Sequence, residues 1–378
     1  MTAFDPGFST AAMTRLFSAG ARVSAMCNFE AALAGAQADA GLIPARAAAE
    51  IEDVCAAPVA DAESLLAAGW VTGTPVAALL ESLRADLSPE AGGVIHCGAT
   101  TQDVVDSALM TQIRDGLDLL DAGIVKVAAA LRFLAAEHRL TPMVGRTFLQ
   151  HAEPTTFGLR AALWLEPLLR QLAGLRGRRA SLPVQLGGPV GNRTALGEQA
   201  AVVTAGVAKR LGLVVPVVPW HTDRSHLLEV VTLVDRVAGS AGKIGADLVQ
   251  LSQSEVGEIR TRSGKSSSMP GKRNPIDSIR AVAAAQACGA VARVVTAAPP
   301  HQLERGVGSW HAEWFAVPLV FQTAGAAVEA IGLAAGSIEV DEARMAANLG
   351  VAAEPAMLAA AGALVDRVLA ATDAAGVK

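Results

Sequence analysis

The chain has 378 residues, of which 52% are hydrophobic, and this length allows one large domain or two to three small domains with ample core. Aromatic residues make up only 4% and Tyr is absent, while Ala and Leu dominate and favour helices. The net charge of −5 argues against a general nucleic-acid binder, which is normally basic. The four cysteines have no C-x-x-C spacing, which is typical of reduced cytoplasmic thiols rather than of disulfides or a zinc site.

The beginning of the chain predicts a small helical domain over residues 1–98. Residues 8–40 indicate a helix whose apolar face is interrupted by acidic and small residues. Residues 43–84 indicate two or three shorter helices, separated by glycine and proline. A glycine-rich connection over 88–99 follows and ends this domain.

Six longer segments carry apolar residues at steps of three and four, the period of a helix. They cover about 103–140, 155–180, 198–211, 228–257, 276–298 and 314–336. Long helices with this spacing pack almost antiparallel into a bundle, and no long stretch alternates with period two. We therefore predict an all-α protein with a central long-helix bundle domain over 99–336. A short partial C-terminal helical segment over 337–378 is expected to hold one or two helices beginning near Asp341.

The most apolar run of the chain, Trp314 to Ile338, carries Glu329 near its middle. A buried bundle helix explains this run better than a membrane span, and its apolar sides also indicate burial by other subunits. The N-terminus shows no basic region followed by an apolar core, so no signal peptide is expected. These features predict a cytoplasmic protein with no membrane partner.

A small, polar and cationic stretch, Gly264 to Pro275, lies between two predicted helices. Its hydroxyls and lysines suit an anion, and its small residues allow the movement that a gated active site requires. Asn274 is a good N-cap and Pro275 suits the first helical position, so a helix is expected to begin there. A phosphate-binding P-loop would need a glycine where Ile259 stands, which argues against that motif. On composition alone, a solvated surface loop remains the alternative.

The segment that precedes the first long helix offers a second anion site. Thr100 and Thr101 lie at the start of the helix, where hydroxyls and free backbone N–H groups favour an anion. The alternative is that one threonine only caps the helix.

Ser266-Ser267-Ser268-Met269-Pro270-Gly271-Lys272-Arg273-Asn274-Pro275 resembles the signature G-S-S-x-M-P-x-K-x-N-P of the fumarase/aspartase superfamily. Every fixed position after the first glycine matches, and Lys265 stands in place of that glycine. The resemblance implies that Ser266 is the catalytic base or proton donor. It also implies that Lys272 and Asn274 stabilise negative charge and that Ser267 and Met269 contact substrate.

Two further segments are similar to signature regions of the same superfamily. His96 to Asp106 is similar to H-x-G-x-T-S-x-D, which implies that Thr100 and Thr101 hold a substrate carboxylate. In the second region, Gly145 to Gly158, the resemblance implies that Thr147 and Gln150 contact substrate.

The catalytic histidine that the second region usually carries is missing from its place. Phe148 occupies that position, and a phenyl ring cannot transfer a proton. His151 is the nearest titratable side chain and is our candidate for the catalytic group, although a lone histidine is more often structural.

Three stretches are similar to one cycloisomerase branch of the superfamily, namely Leu149-Gln150-His151-Ala152, Pro219 to Arg224, and Glu304 to Trp314. The resemblance implies that His221, Arg224 and Arg305 contact the substrate. The alternative is that both arginines are surface cations and that the tryptophans pack at an interface.

The superfamily adds a nucleophile to, or eliminates it from, a carbon next to a carboxylate, through a dianionic aci-carboxylate. The resemblance implies a cofactor-free homotetramer that takes a small polycarboxylate substrate and whose sites each draw one segment from each of three subunits. No His, Cys, Asp or Glu cluster has the spacing of metal ligands, so no metal is expected. The expected reaction closes 3-carboxy-cis,cis-muconate to a carboxymuconolactone. Two alternatives remain: a lyase that releases fumarate from a succinyl compound, and a scaffold without activity.

Overall fold

The computed structural model describes residues 5–57, 61–265, 268–269, 271–298 and 300–377. Six helices form the N-terminal part: α1 (Ala11–Leu16), α2 (Ala19–Asp39), α3 (Ala45–Ala56), α4 (Ala62–Thr72), α5 (Val76–Asp86) and α6 (Pro89–Val94). The helix predicted over 8–40 is interrupted between α1 and α2, where Ser18 accepts a hydrogen bond from the N–H of Ala21 and caps α2. The two or three shorter helices predicted over 43–84 are three, namely α3, α4 and α5.

The six predicted long segments are all helices. They are α7 (Thr101–Glu137), α8 (Phe157–Arg179), α9 (Ala200–Leu211), α10 (Ser225–Leu251), α11 (Ile276–Thr296) and α12 (Ser309–Ala335). The all-α prediction is therefore confirmed, with α8 continuing through Pro167 and α12 beginning five residues earlier than expected.

The helix α7 provides the central apolar stripe of the core. Its buried residues include Ile113, Leu117, Leu120, Ile124, Val127 and Leu131. The helices α10 and α11 approach closely because α10 carries glycines on the shared face. A Cβ atom on Gly245 would lie 2.7 Å from the carbonyl oxygen of Ser278, and one on Gly242 would lie 2.6 Å from Cβ of Ala285. Either glycine could be replaced only by moving the two helices apart.

A β-hairpin that the sequence analysis missed follows α7 directly. It pairs β1 (Pro142–Thr147) with β2 (Gln150–Thr156) in antiparallel register. The hairpin has one half-exposed face and a register shift between Val144 and Arg146, so its side chains do not alternate cleanly. Its base is tied to the end of α7 by hydrogen bonds from the N–H groups of Phe157 and Gly158 to Thr141 and His138.

The predicted capping of α11 by Asn274 is wrong by one residue. Asn274 lies in a two-residue strand, β5 (Arg273–Asn274), which pairs with β4 (Gly264–Lys265), and Pro275 occupies the N-cap position. Pairing to Gly264 keeps the backbone of Asn274 extended, so it cannot begin the helix.

The C-terminal part holds two helices, α13 (Glu342–Leu349) and α14 (Pro355–Ala374), as predicted. Asp341 caps α13 by accepting a hydrogen bond from the N–H of Arg344. The strand β6 (Glu339–Val340) pairs with β3 (Ile259–Arg260), and α14 packs on α8. The division into three domains stays a prediction.

Three helices, α11, α12 and α14, are long and apolar enough to cross a membrane by length and composition. In α12, 67% of the most apolar window is buried, as predicted for the run around Glu329. Only 28% is buried in α11 and 22% in α14, so these two helices leave apolar faces uncovered.

Candidate active site

Arg305 lies at the start of α7 and donates hydrogen bonds to neutral acceptors there. The guanidinium of Arg305 donates from Nε to Oε1 of Gln102 at 3.2 Å and from Nη2 to Oγ1 of Thr100 at 3.3 Å. A third, longer contact joins Nη2 to the carbonyl oxygen of Pro189 at 3.4 Å. Within the described ranges no carboxylate pairs with Arg305, so its charge is available to an anion at the α7 N-terminus. Thr100 and Thr101 are partly exposed there.

The buried Asp103 holds this helix start in place. Its carboxylate accepts hydrogen bonds from the backbone N–H of Thr100, Gly187 and Gly188, each at 2.9 Å. It also lies 2.8 Å from Nε2 of His221. Since Asp103 engages Nε2, only Nδ1 of His221 can face a substrate.

The expectation that Arg224 binds substrate is corrected by its contacts. Arg224 is buried and directs four of its five N–H donors at two buried carboxylates, those of Asp106 and Glu313, at 2.6 to 3.1 Å. Trp310 donates to the same Asp106 at 3.0 Å. With four N–H groups already used, the guanidinium cannot form a bidentate pair with a substrate carboxylate. Arg224 instead joins α7, α10 and α12.

The sequence analysis missed two residues here, Glu313 within this ion-pair network and His301 next to it. Burial raises the pKa of Glu313 to about 7, against the opposing effect of Arg224. The buried side chain of His301 lies 3.5 Å from Oε1 of Glu313, and burial lowers its pKa. The spacing of Asp103 and Asp106, three residues apart on α7, could have indicated a polar face on this helix.

His96 begins the first signature region, but the sequence analysis did not predict it as a site residue. Its Nδ1 lies 2.7 Å from Oε1 of the buried Glu30, and its backbone has a left-handed φ of 66°. Burial alone would lower the pKa of His96, but the hydrogen bond and charge of Glu30 outweigh it and raise the pKa. A left-handed histidine is costly, and such strain is often found at functional sites.

The second predicted segment forms the tip of the β1–β2 hairpin. Phe148 and Leu149 are its two turn residues, both with left-handed φ angles, 50° and 62°, where Asn-Gly is usual. Phe148 is 98% exposed. Thr147 and Gln150 flank the turn, and both are exposed. An exposed aromatic ring on a strained turn is typical of a surface that something else covers.

His151 is exposed on β2 next to that tip. It lines a cavity of about 340 Å³ together with Arg146, Arg160 and Asn348. Arg146 is held by the buried Glu258, at 2.6 and 2.9 Å. The hairpin therefore lies beside the segment that leads into the signature loop.

The signature loop, residues 264–275, is described only in part. Ser266 and Ser267 lie outside the described residues, so their predicted roles stay predictions. Met269 and Lys272 are exposed and Asn274 is partly exposed. The loop is tied to the beginning of α11 by an ion pair from Arg262 to Asp277, at 2.8 and 3.0 Å.

Within the chain, the three signature segments do not all lie close together. The helix α7 separates Thr100 from the hairpin, and its 37 residues span about 55 Å at 1.5 Å per residue. The six residues of β1 reach back at most about 20 Å, which leaves a gap of about 35 Å. The structure thus brings Thr100, Thr101, His221 and Arg305 together at one end, and the hairpin and the signature loop at the other.

A sequence model of the family described as "Lyase" matches residues 8–291. The chain therefore belongs to this lyase family, which agrees with the superfamily expected from the three signature regions.

In the part of the chain that the structure describes, no group of three His, Cys, Asp or Glu side chains could hold a metal ion.

The particular relatives agree with the predicted cycloisomerase branch. The chain is 43% identical to 3-carboxy-cis,cis-muconate cycloisomerase of Pseudomonas aeruginosa, over 92% of this chain and 78% of the relative. It superposes on the crystal structure of 3-carboxy-cis,cis-muconate lactonizing enzyme from Pseudomonas putida with a TM-score of 0.92, at 33% identity and 99% coverage of both chains. The fumarate lyase of Mesorhizobium sp. BNC1 gives a TM-score of 0.84 at 34% identity, covering 99% and 88% of the two chains.

Proposed function

We propose that the protein closes 3-carboxy-cis,cis-muconate to a carboxymuconolactone without a cofactor. The observation that carries the proposal is Arg305, an arginine at a helix N-terminus whose acceptors among the described residues are all neutral. Such a site binds a carboxylate through charge and hydrogen bonds together. The similarity to 3-carboxy-cis,cis-muconate cycloisomerase supports the same substrate.

The chemistry needs few groups because the nucleophile belongs to the substrate. A carboxylate oxygen forms the new C–O bond to a diene carbon, and the electron pair moves into a neighbouring carboxylate as an aci-carboxylate. A proton then adds to the adjacent carbon, so the product is an isomer of the substrate. In this proposal Arg305, Thr100 and Thr101 hold one carboxylate, Lys272 and Asn274 stabilise the aci-carboxylate, and Ser266 transfers the proton.

We propose that each site of a homotetramer draws one of the three signature segments from each of three subunits. The distance of about 35 Å between the α7 start and the hairpin is too great for one small substrate. The uncovered apolar faces of α11 and α14 and the exposed Phe148 supply surfaces for such an assembly. His151, Thr147 and Gln150 then contact substrate bound at the α7 start of a neighbouring subunit.

Mixing two inactive variants tests the shared site. Ser266→Ala and Thr147→Ala homo-oligomers should each have low activity, and oligomers assembled from both should regain part of it. Some sites in the mixture then draw both segments from unmutated subunits. Mass spectrometry verifies the mixed oligomers, and mixtures of Ser266→Ala with itself are the control. A verified mixed oligomer that stays as inactive as its parents would contradict the shared site.

The substrate is tested by following the loss of ultraviolet absorbance of the conjugated diene with purified enzyme. We expect saturable loss of 3-carboxy-cis,cis-muconate, with a lactone as the product detected by NMR. The second candidate is elimination of fumarate from a succinyl compound, which the similarity to a fumarate lyase favours. An untouched diene, together with fumarate release from such a compound, would replace the first proposal by the second.

A further inference from the structure

A second cavity lies beside the first turn of α12, between that helix and the α4–α5 corner. Its volume is about 870 Å³, within the range of small-molecule sites. Its lining residues are mostly apolar or aromatic and come from α2, α4, the turn before α5 and α12: Arg22, Leu66, Ala67, Gly69, Trp70, Pro75, Gly308, His311, Ala312, Trp314 and Phe315. No acidic residue is among them.

Arg22 places an uncompensated positive charge in this cavity. Its guanidinium carbon lies 5.1 Å from the ring centroid of Trp314, and burial lowers its pKa to about 10. None of the described residues forms an ion pair or a side-chain hydrogen bond with the guanidinium. A small cavity on another side of Arg22 is lined by Met26, Val105, Leu109 and the neutral amide of Gln112, among others, and none of these residues provides a counter-ion. A cation desolvated without a counter-ion is unfavourable, so the site as it stands favours an anion.

Aromatic rings form the walls around this charge. The ring of Trp70 lies 6.0 Å from those of His311 and Trp314, and the last two are 4.6 Å apart. Trp70 is 68% exposed, so its indole bounds an open cavity rather than a packed core. Nε2 of His311 lies 3.0 Å from the carbonyl oxygen of Gly73 and donates to it, which leaves Nδ1 as a hydrogen-bond acceptor.

The combination selects one class of ligand. One guanidinium without further cations matches a single carboxylate, whereas a nucleotide or another polyphosphate would need several basic groups. Flat aromatic walls favour a flat apolar body by stacking and by burial of apolar area. A planar acid with an aromatic ring satisfies both requirements.

We propose that Arg22, Trp70 and Trp314 form a binding site for an aromatic carboxylic acid, separate from the site at the α7 start. The two sites lie on different faces of the first turn of α12. Trp310 turns inward and donates to Asp106, while His311, the next residue, faces the cavity. The carboxylate pairs with the Arg22 guanidinium, and the ring packs against the exposed indole of Trp70.

Titration with benzoate, followed by tryptophan fluorescence and by calorimetry, tests this site on the intact oligomer. We expect saturable binding to the wild type and no binding of benzamide, which has the same shape without the charge. Arg22→Met should weaken benzoate binding at least about tenfold, which corresponds to 1.4 kcal/mol. Arg15→Met is the matched control, because Arg15 is exposed in the neighbouring helix α1, and it should bind as the wild type does.

Folding of the variants does not decide the outcome. Arg22→Met removes an unpaired charge and keeps an unbranched side chain, so thermal stability should be unchanged or higher. Trp70→Ala alters an exposed side chain and should also weaken benzoate binding. The proposal is overturned if the wild type shows no saturable binding in the millimolar range. It is equally overturned if benzamide competes, or if Arg22→Met and Trp70→Ala both bind benzoate as tightly as the wild type.

Discussion

Replacing Ser266 by alanine is expected to lower kcat by at least about 100-fold, the usual contribution of a general acid–base group. Ser266 is the first serine of the signature that identifies the superfamily, and alanine cannot take or give a proton. Stopped-flow or steady-state measurement of diene loss gives kcat, and circular dichroism with size-exclusion chromatography checks that the helices and the oligomer are retained.

Ser263→Ala is the matched control for this prediction. Ser263 immediately precedes the signature loop, and its hydroxyl accepts a hydrogen bond from Nε of Arg273 at 3.3 Å. Its loss should leave turnover near that of the wild type. Near wild-type turnover of Ser266→Ala would remove this serine from the mechanism, and the proton would then have to come from another group.

Arg224→Met is expected to reduce the free energy of unfolding by about 3–5 kcal/mol. The substitution leaves the carboxylates of Asp106 and Glu313 buried without their common counter-ion. A buried unpaired charge is among the most costly defects that a single mutation creates. Urea unfolding at fixed protein concentration measures the change, because the apparent stability of an oligomer depends on concentration.

Arg170→Met provides the comparison. Arg170 pairs with Glu166 one helical turn away at 2.6 Å, and its side chain is 63% exposed. Exposed pairs of this kind contribute about 0.3–0.5 kcal/mol, so this variant should unfold close to the wild type. If Arg224→Met also unfolded within about 1 kcal/mol of the wild type, the buried network would not be the junction of α7, α10 and α12 that we describe.

Much of the fold and part of the candidate site could be predicted from local patterns. The period of three and four residues over 103–140 is a property of neighbouring residues along the chain, and α7 forms there. The signature around Lys272 and Asn274 is equally local. The hairpin was missed because its strands are short, partly exposed and shifted in register at Val144, so no clean alternation marks them.

The roles of Arg224 and Arg305 depended on the folded chain instead. Both arginines stand in segments that contain histidine and tryptophan, and both were expected to bind substrate. Only folding brings Asp106, 118 residues away, and Glu313, 89 residues away, to Arg224, while Arg305 meets neutral oxygens. Helix formation depends on residues that are close in sequence, so it can be predicted from the sequence. The charge left over at a site depends on which distant carboxylates arrive there, and tertiary packing alone decides that.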